Sequence, residues 1–155
     1  MRRRYYLAYG SNLSIRQMSR RCPTAKPVGG VMLEGYELLF RGGNGSAVAT
    51  IEPKDGGRVP CALWLITPRD EAALDAYEGF PHFYRKEMVP VQRGRRGMKV
   101  MAYIMNSGHA VAMPGMGYLR TIQSGYDDFG LDSSALETAL RVCSDATAHN
   151  RKLPE

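Results

Sequence analysis

The stretch that most constrains this chain is Tyr9-Gly10-Ser11-Asn12-Leu13. It follows Tyr5-Tyr6-Leu7-Ala8-Tyr9, an apolar run with the length and aromatic content of a buried strand, and it precedes a segment that reads as a helix. The junction is therefore a strand-to-helix turn. Gly10 has access to backbone conformations closed to other residues and lets a ligand approach the main chain, while Ser11 and Asn12 carry short side chains suited to turns and caps. Ser14-Ile15-Arg16-Gln17 fits a capping box, which starts the helix one or two residues after the turn. Amides facing outward there, with the positive end of the helix dipole, suit a carboxylate or a developing oxyanion. A turn with a purely structural duty would use the same residues.

The 155 residues suffice for one domain with a real core and are too few for two ordinary ones. Hydrophobic residues at 44% and charged residues at 23% are values of a soluble globular protein. No apolar run approaches the length of a transmembrane helix, and the stretch after Met1-Arg2-Arg3-Arg4 is too short for a signal peptide, so the expected compartment is the cytoplasm, away from membranes. Cys22, Cys61 and Cys143 stand apart from one another and read as small buried thiols rather than a disulfide framework or a CxxC metal site. His82, His109 and His149 are equally scattered, with no HxH or HxxxH spacing, so no metal is expected.

The net charge of +6 favours acidic partners, from a small anionic substrate to a nucleic acid. Its distribution argues against nucleic acid. Arg2 to Arg4 sit at the terminus and Arg93, Arg95 and Arg96 lie in a glycine-bracketed turn, so neither cluster forms a helical stripe tracking phosphates, and no predicted strand interleaves aromatic with basic residues. A basic polyanion-binding module stands as the rival to an enzyme.

Along the chain, the first helix ends near Arg21 because Pro23 follows, and Pro23 to Gly30 reads as a loop. Val31 to Phe40 is a strand, Gly42-Gly43-Asn44-Gly45 a turn, and Ala47 to Ile51 the returning strand. Asp55-Gly56-Gly57 reads as a further hairpin before Val59 to Ile66, where Pro60 marks a strand start or an edge. Thr67-Pro68-Arg69-Asp70 opens a helix with a cap, a first-turn proline and an acid; Ala73, Leu74 and Tyr77 give it a buried face and Gly79 stops it. Tyr84 to Val91 and Val100 to Met105 are strands around the Arg93 to Gly97 turn. A helix with Tyr118, Leu119 and Ile122 inward closes at Gly125, and a last one runs from Ser134 to Cys143. These elements predict a single α+β domain with a mixed, strongly curved sheet over residues 1–143 and a polar tail over 144–155.

Glu78 ends the helix that Thr67 opens. The negative end of the helix dipole, the like charge of Asp75 and the cover of Tyr77 and Phe80 would all disfavour its carboxylate and raise its pKa, as a base working near neutral pH requires. A solvated surface glutamate beside a helix stop fits the same local pattern.

Tyr-Gly-Ser-Asn-Leu after an N-terminal apolar strand, with Glu78-Gly79 downstream, resembles the signature of the gamma-glutamylcyclotransferase-like family, which includes the AIG2-like proteins. Tyr118-Leu119 through Ile122, Gly125, Gly130 and Leu131 resembles the family's late Tyr…Ile…Gly…Gly pattern, and Tyr84 resembles another recurrent tyrosine. The resemblance covers Tyr6 to about Cys143. It implies a closed or nearly closed small β-barrel flanked by short helices, and conversion of a γ-glutamyl amine or amino acid to 5-oxoproline without metal or organic cofactor. Glu78 is the catalytic acid/base it implies, with Tyr9, Gly10, Ser11, Asn12 and Leu13 binding the glutamyl moiety and Tyr84 and Tyr118 either lining the site or packing in the core. The same fold with another acyl substrate is the alternative, and the oligomer is either monomer or homodimer. One departure narrows the substrate: the glutathione-specific ChaC-like branch has leucine where this chain has Asn12 and tryptophan where it has Ser14.

Overall fold

The computed structural model describes residues 2–152. Its sheet is built around β1 (Arg4–Ala8), which pairs antiparallel with β3 (Val48–Ile66) from Arg4↔Ile66 to Ala8↔Ala62 and parallel with β5 (Arg96–Met105) at Tyr6↔Met101. A strand with neighbours on both sides and cover on both faces needs consecutive apolar residues rather than alternation, and Tyr6, Leu7 and Ala8 are all buried. β2 (Lys26–Arg41) lies beyond β3 and β4 (Tyr84–Arg93) beyond β5, both antiparallel, giving the order β2-β3-β1-β5-β4. The sheet is mixed and curls until β2 and β4 come into contact, yet no ladder joins these edges among the described residues. It is a nearly closed sheet rather than a closed barrel.

β2 and β3 are longer than the sequence suggests, and the difference has one cause. Glu34 pairs with Arg58 but Tyr36 with Pro53, so the segment 54–57 lies outside the ladder as a large bulge within a single strand. Asp55-Gly56-Gly57 is therefore a bend in β3 and not the hairpin expected. Gly57 is required there, because a Cβ would stand 2.2 Å from the Tyr36 carbonyl oxygen. Pro60 pairs with Met32 on one side and lies past the end of β1 on the other, an edge-like position inside a central strand. β2 already begins at Lys26, within the span read as a loop.

Four helices cover the sheet. α1 (Ile15–Arg21) is capped by the Ser14 hydroxyl, which accepts from the Gln17 amide. α2 (Pro68–Glu78) has the Thr67–Asp70 capping box with Pro68 at its start, and ends on Gly79 in the left-handed conformation at φ 64°. α3 (Met116–Phe129) runs through Gly125 and ends at Gly130. α4 (Ser134–Lys152) continues well past Cys143, where the sequence pattern had the helix give way to a frayed tail. No helix of the described residues is long and apolar enough to cross a membrane.

Candidate active site

The turn after β1 and the end of α2 meet. Tyr9, Gly10, Ser11 and Asn12 from the turn, Glu78 from α2, Tyr84 from β4 and Tyr118 from α3 all line one cavity of about 410 Å³, a size suited to a small molecule. Leu13, expected beside them, does not line it. Its side chain is fully buried, and its amide is committed to the Gly10 carbonyl at 3.0 Å in the 3₁₀ turn Ser11–Leu13. Gly10 is needed for space rather than for a left-handed backbone: its φ is −119°, and a Cβ would sit 3.2 Å from both Ala49 Cβ and the Tyr118 hydroxyl.

Two tyrosines grip the main chain of β3 at one residue. The Tyr84 hydroxyl donates to the Ala49 carbonyl at 2.6 Å, and the Tyr118 hydroxyl accepts from the Ala49 amide at 3.0 Å. Tyr84 has thus used its donor, whereas Tyr118 keeps its proton for a ligand. Asn12 Nδ2 donates to the Tyr6 hydroxyl at 2.9 Å and reaches Glu78 Oε1 at 3.5 Å; Arg21 donates to Asn12 Oδ1. Ser11 Oγ and the Tyr77 hydroxyl share a hydrogen bond of 2.9 Å, a second tie between turn and α2.

The family model of Gamma-glutamyl cyclotransferase, AIG2-like proteins matches residues 6–125 of this chain. The chain belongs to that family. Among solved structures it is similar to a "Gamma-glutamyl cyclotransferase" at 24% identity and TM-score 0.80, over 89% of this chain and 86% of that one. It is also similar to the uncharacterized protein loc79017 from Homo sapiens, at 25% identity and TM-score 0.78, over 90% of this chain and 87% of that one. A gamma glutamyl cyclotransferase specific to glutathione from yeast shares the fold at TM-score 0.61, with 11% identity over 89% and 93% of the two chains. Among curated proteins none matches. The fold is that of the cyclotransferase structures.

In this cyclotransferase fold Glu78 is, among the described residues, the one carboxylate lining the cavity. Burial pushes its pKa from the ordinary 4.5 up to about 7, against the opposing pull of Arg21. Of the causes its sequence context suggests, exclusion of water is the one that acts, and not the like charge of Asp75 or a buried Tyr77. Asp75 is held by Lys86 at 2.9 Å and accepts from the Tyr103 hydroxyl at 2.5 Å, so its charge is compensated elsewhere, and Tyr77 is exposed. Burial also raises Tyr6, Tyr9, Tyr84 and Tyr118 far above neutrality, which leaves them as neutral hydrogen-bonding groups.

Several lining residues escape sequence reasoning. Tyr6 and Tyr103 pack edge to face at 5.9 Å, and Tyr77 and Phe83 complete the wall. Each sits at a spacing that signals core, so no local pattern separates them from ordinary apolar positions. Among the described residues no cluster of three His, Cys, Asp or Glu side chains could hold a metal ion.

Proposed function

We propose that the protein cyclises a γ-glutamyl amine or γ-glutamyl amino acid to 5-oxoproline and releases the amine or amino acid. The observation that carries this reading is a single half-buried carboxylate, its pKa raised to about 7, in a small cavity that the family's glycine turn also lines. Cyclisation needs a base for an ammonium group, donors for an oxyanion and a pocket that keeps a flexible chain folded. Glu78 takes a proton from the α-ammonium; the freed nitrogen attacks the γ-carbonyl carbon, and the C–N bond to the leaving group breaks. Both protons shed by the attacking nitrogen end on the leaving nitrogen, with Glu78 as relay, so no outside reagent is consumed.

The oxyanion has a narrower set of donors than the whole turn. The Leu13 amide is committed within the 3₁₀ turn. The main-chain N–H groups of Gly10, Ser11 and Asn12, which have no protein acceptor among the described residues, and the Tyr118 hydroxyl are the better placed donors.

A panel of γ-glutamyl amines and amino acids, with 5-oxoproline as the readout, tests the reaction and identifies the leaving group; no 5-oxoproline from any member rejects it. Because the ionised form of Glu78 is the working base, kcat/KM is expected to rise with pH through about 7 and level off above it. A profile flat from pH 5 to 8 contradicts that role. Tyr118→Phe removes both the free donor and the acceptor of the Ala49 amide. Turnover is expected to fall roughly tenfold to a hundredfold, with about 1 kcal/mol of stability lost in denaturant melts.

A further inference from the structure

Asn12 and Tyr77 both line the cavity, and one side chain that does not line it contacts both. Arg21, in the last turn of α1, donates to Asn12 Oδ1 and, at 3.1 Å, to Gln17 Oε1, while its guanidinium lies 3.4 Å from the centre of the Tyr77 ring. With the carboxamide oxygen facing the guanidinium, the Asn12 nitrogen must face the other way, toward the Tyr6 hydroxyl and Glu78. Without that restraint the amide could turn over and present its oxygen to the Glu78 carboxylate, replacing a donor by a repulsion. Tyr77, with the guanidinium over its ring, shares its hydroxyl hydrogen bond with Ser11.

We infer that Arg21 is a positioning residue: its fork fixes the Asn12 carboxamide and its plane fixes Tyr77, locking the turn after β1 to the end of α2. A lysine is a poorer replacement, since its compact, strongly hydrated ammonium has no planar fork to hold both carboxamides in one geometry and no plane to stack on the ring.

Arg21 has an electrostatic duty as well. The groups around Glu78 in the cavity are Tyr6 from β1, Tyr9 and Asn12 from the turn, Tyr84 from β4 and Tyr118 from α3, all uncharged at working pH. Asp75, on the same helix as Glu78, is bound by Lys86 and Tyr103. Burial is the larger influence on Glu78 and drives it upward; Arg21 is the cation that opposes it. The consequence for turnover rests on the cyclisation proposed above, whereas the consequence for the carboxyl itself does not.

The test follows the Glu78 carboxyl by 13C NMR across pH, its signal assigned by its loss in Glu78→Gln, in the parent, Arg21→Gln and Arg21→Lys, alongside pH–rate profiles of 5-oxoproline formation. Arg21→Gln is expected to move the carboxyl midpoint up by about one pH unit and the rate profile with it. Arg21→Lys is expected to keep the midpoint close to the parent's while kcat falls about tenfold. An unmoved midpoint in Arg21→Gln, or full kcat in Arg21→Lys, overturns the inference. If Arg21→Gln does not fold, Arg21→Lys decides, since a merely structural arginine would leave the kcat of the folded fraction intact. If the parent forms no 5-oxoproline from any γ-glutamyl compound, the cyclisation reading fails while the carboxyl midpoint still judges Arg21.

Discussion

Glu78→Gln is expected to lower 5-oxoproline formation by about two to four orders of magnitude while leaving a folded protein that still binds the substrate. Glutamine keeps the length and one oxygen of glutamate, so the contact from Asn12 Nδ2 at 3.5 Å survives, but it can neither take up the ammonium proton nor return one to the leaving nitrogen. The loss should therefore fall on kcat, with KM little changed. Activity in the variant within a few fold of the parent would remove Glu78 from the mechanism.

The same substitution carries a second expectation of opposite sign. The folded-state pKa of Glu78 is raised from 4.5 to about 7, so its contribution to stability is fully present below pH 4.5 and is lost as pH rises through 7. Each pH unit is worth about 1.4 kcal/mol, so ionisation at pH 8 costs the fold on the order of 2–3 kcal/mol, toward the lower figure for a half-buried side chain. A neutral glutamine escapes this cost. Glu78→Gln should thus melt several degrees above the parent at pH 8 and together with it at pH 4.5, and calorimetry at the two pH values reads the difference directly. A stabilising loss of function is what a strained functional carboxylate predicts and what a solvated surface glutamate does not.

What could be read from the chain follows the range of the interactions. The helix from Thr67 to Glu78 is legible because its cap, its proline and its terminal glycine are all local chemistry, and the position of Glu78 at its end comes with it. The turn is legible as a turn for the same reason. Arg21 is not, because its partners Asn12 and Tyr77 come from segments that only the folded chain brings together. Asp75 misleads: adjacency along the helix suggests repulsion with Glu78, and only the distant Lys86 and Tyr103 reveal where its charge is satisfied. Gly56-Gly57 misleads in another way, since a glycine pair serves a hairpin or a bulge equally and the partner strand decides between them. The closure of the sheet likewise depends on the edges β2 and β4, far apart in sequence.

Gly125 has the same double meaning, and it yields the second large effect. A glycine late in a helical pattern reads as a stop, yet α3 passes through it, because Gly125 is where α3 packs against Leu13 and Ser14 of the turn after β1. A Cβ at this position would lie 2.3 Å from Leu13 Cβ, 2.6 Å from Leu13 carbonyl carbon and 2.8 Å from Ser14 nitrogen. Two of those three atoms are backbone, so no rotamer change relieves the overlap; either α3 or the turn must move. Alanine ordinarily favours a helix over glycine by up to about 1 kcal/mol, but an overlap with main chain outweighs that gain. Gly125→Ala is expected to destabilise the fold by about 3 kcal/mol, a drop of roughly 10 °C in Tm, and to cut turnover further by displacing the Gly10 and Asn12 amides, where a shift of about 1 Å can cost a hundredfold. Trimming the neighbour in Leu13→Ala should not rescue it, since the Leu13 Cβ and the backbone atoms remain. Gly117, in the same helix, has nothing within 4 Å of its hypothetical Cβ, so Gly117→Ala should be neutral or stabilising by up to about 1 kcal/mol. Equal melting temperatures for the two alanine variants would show that α3 does not brace the turn.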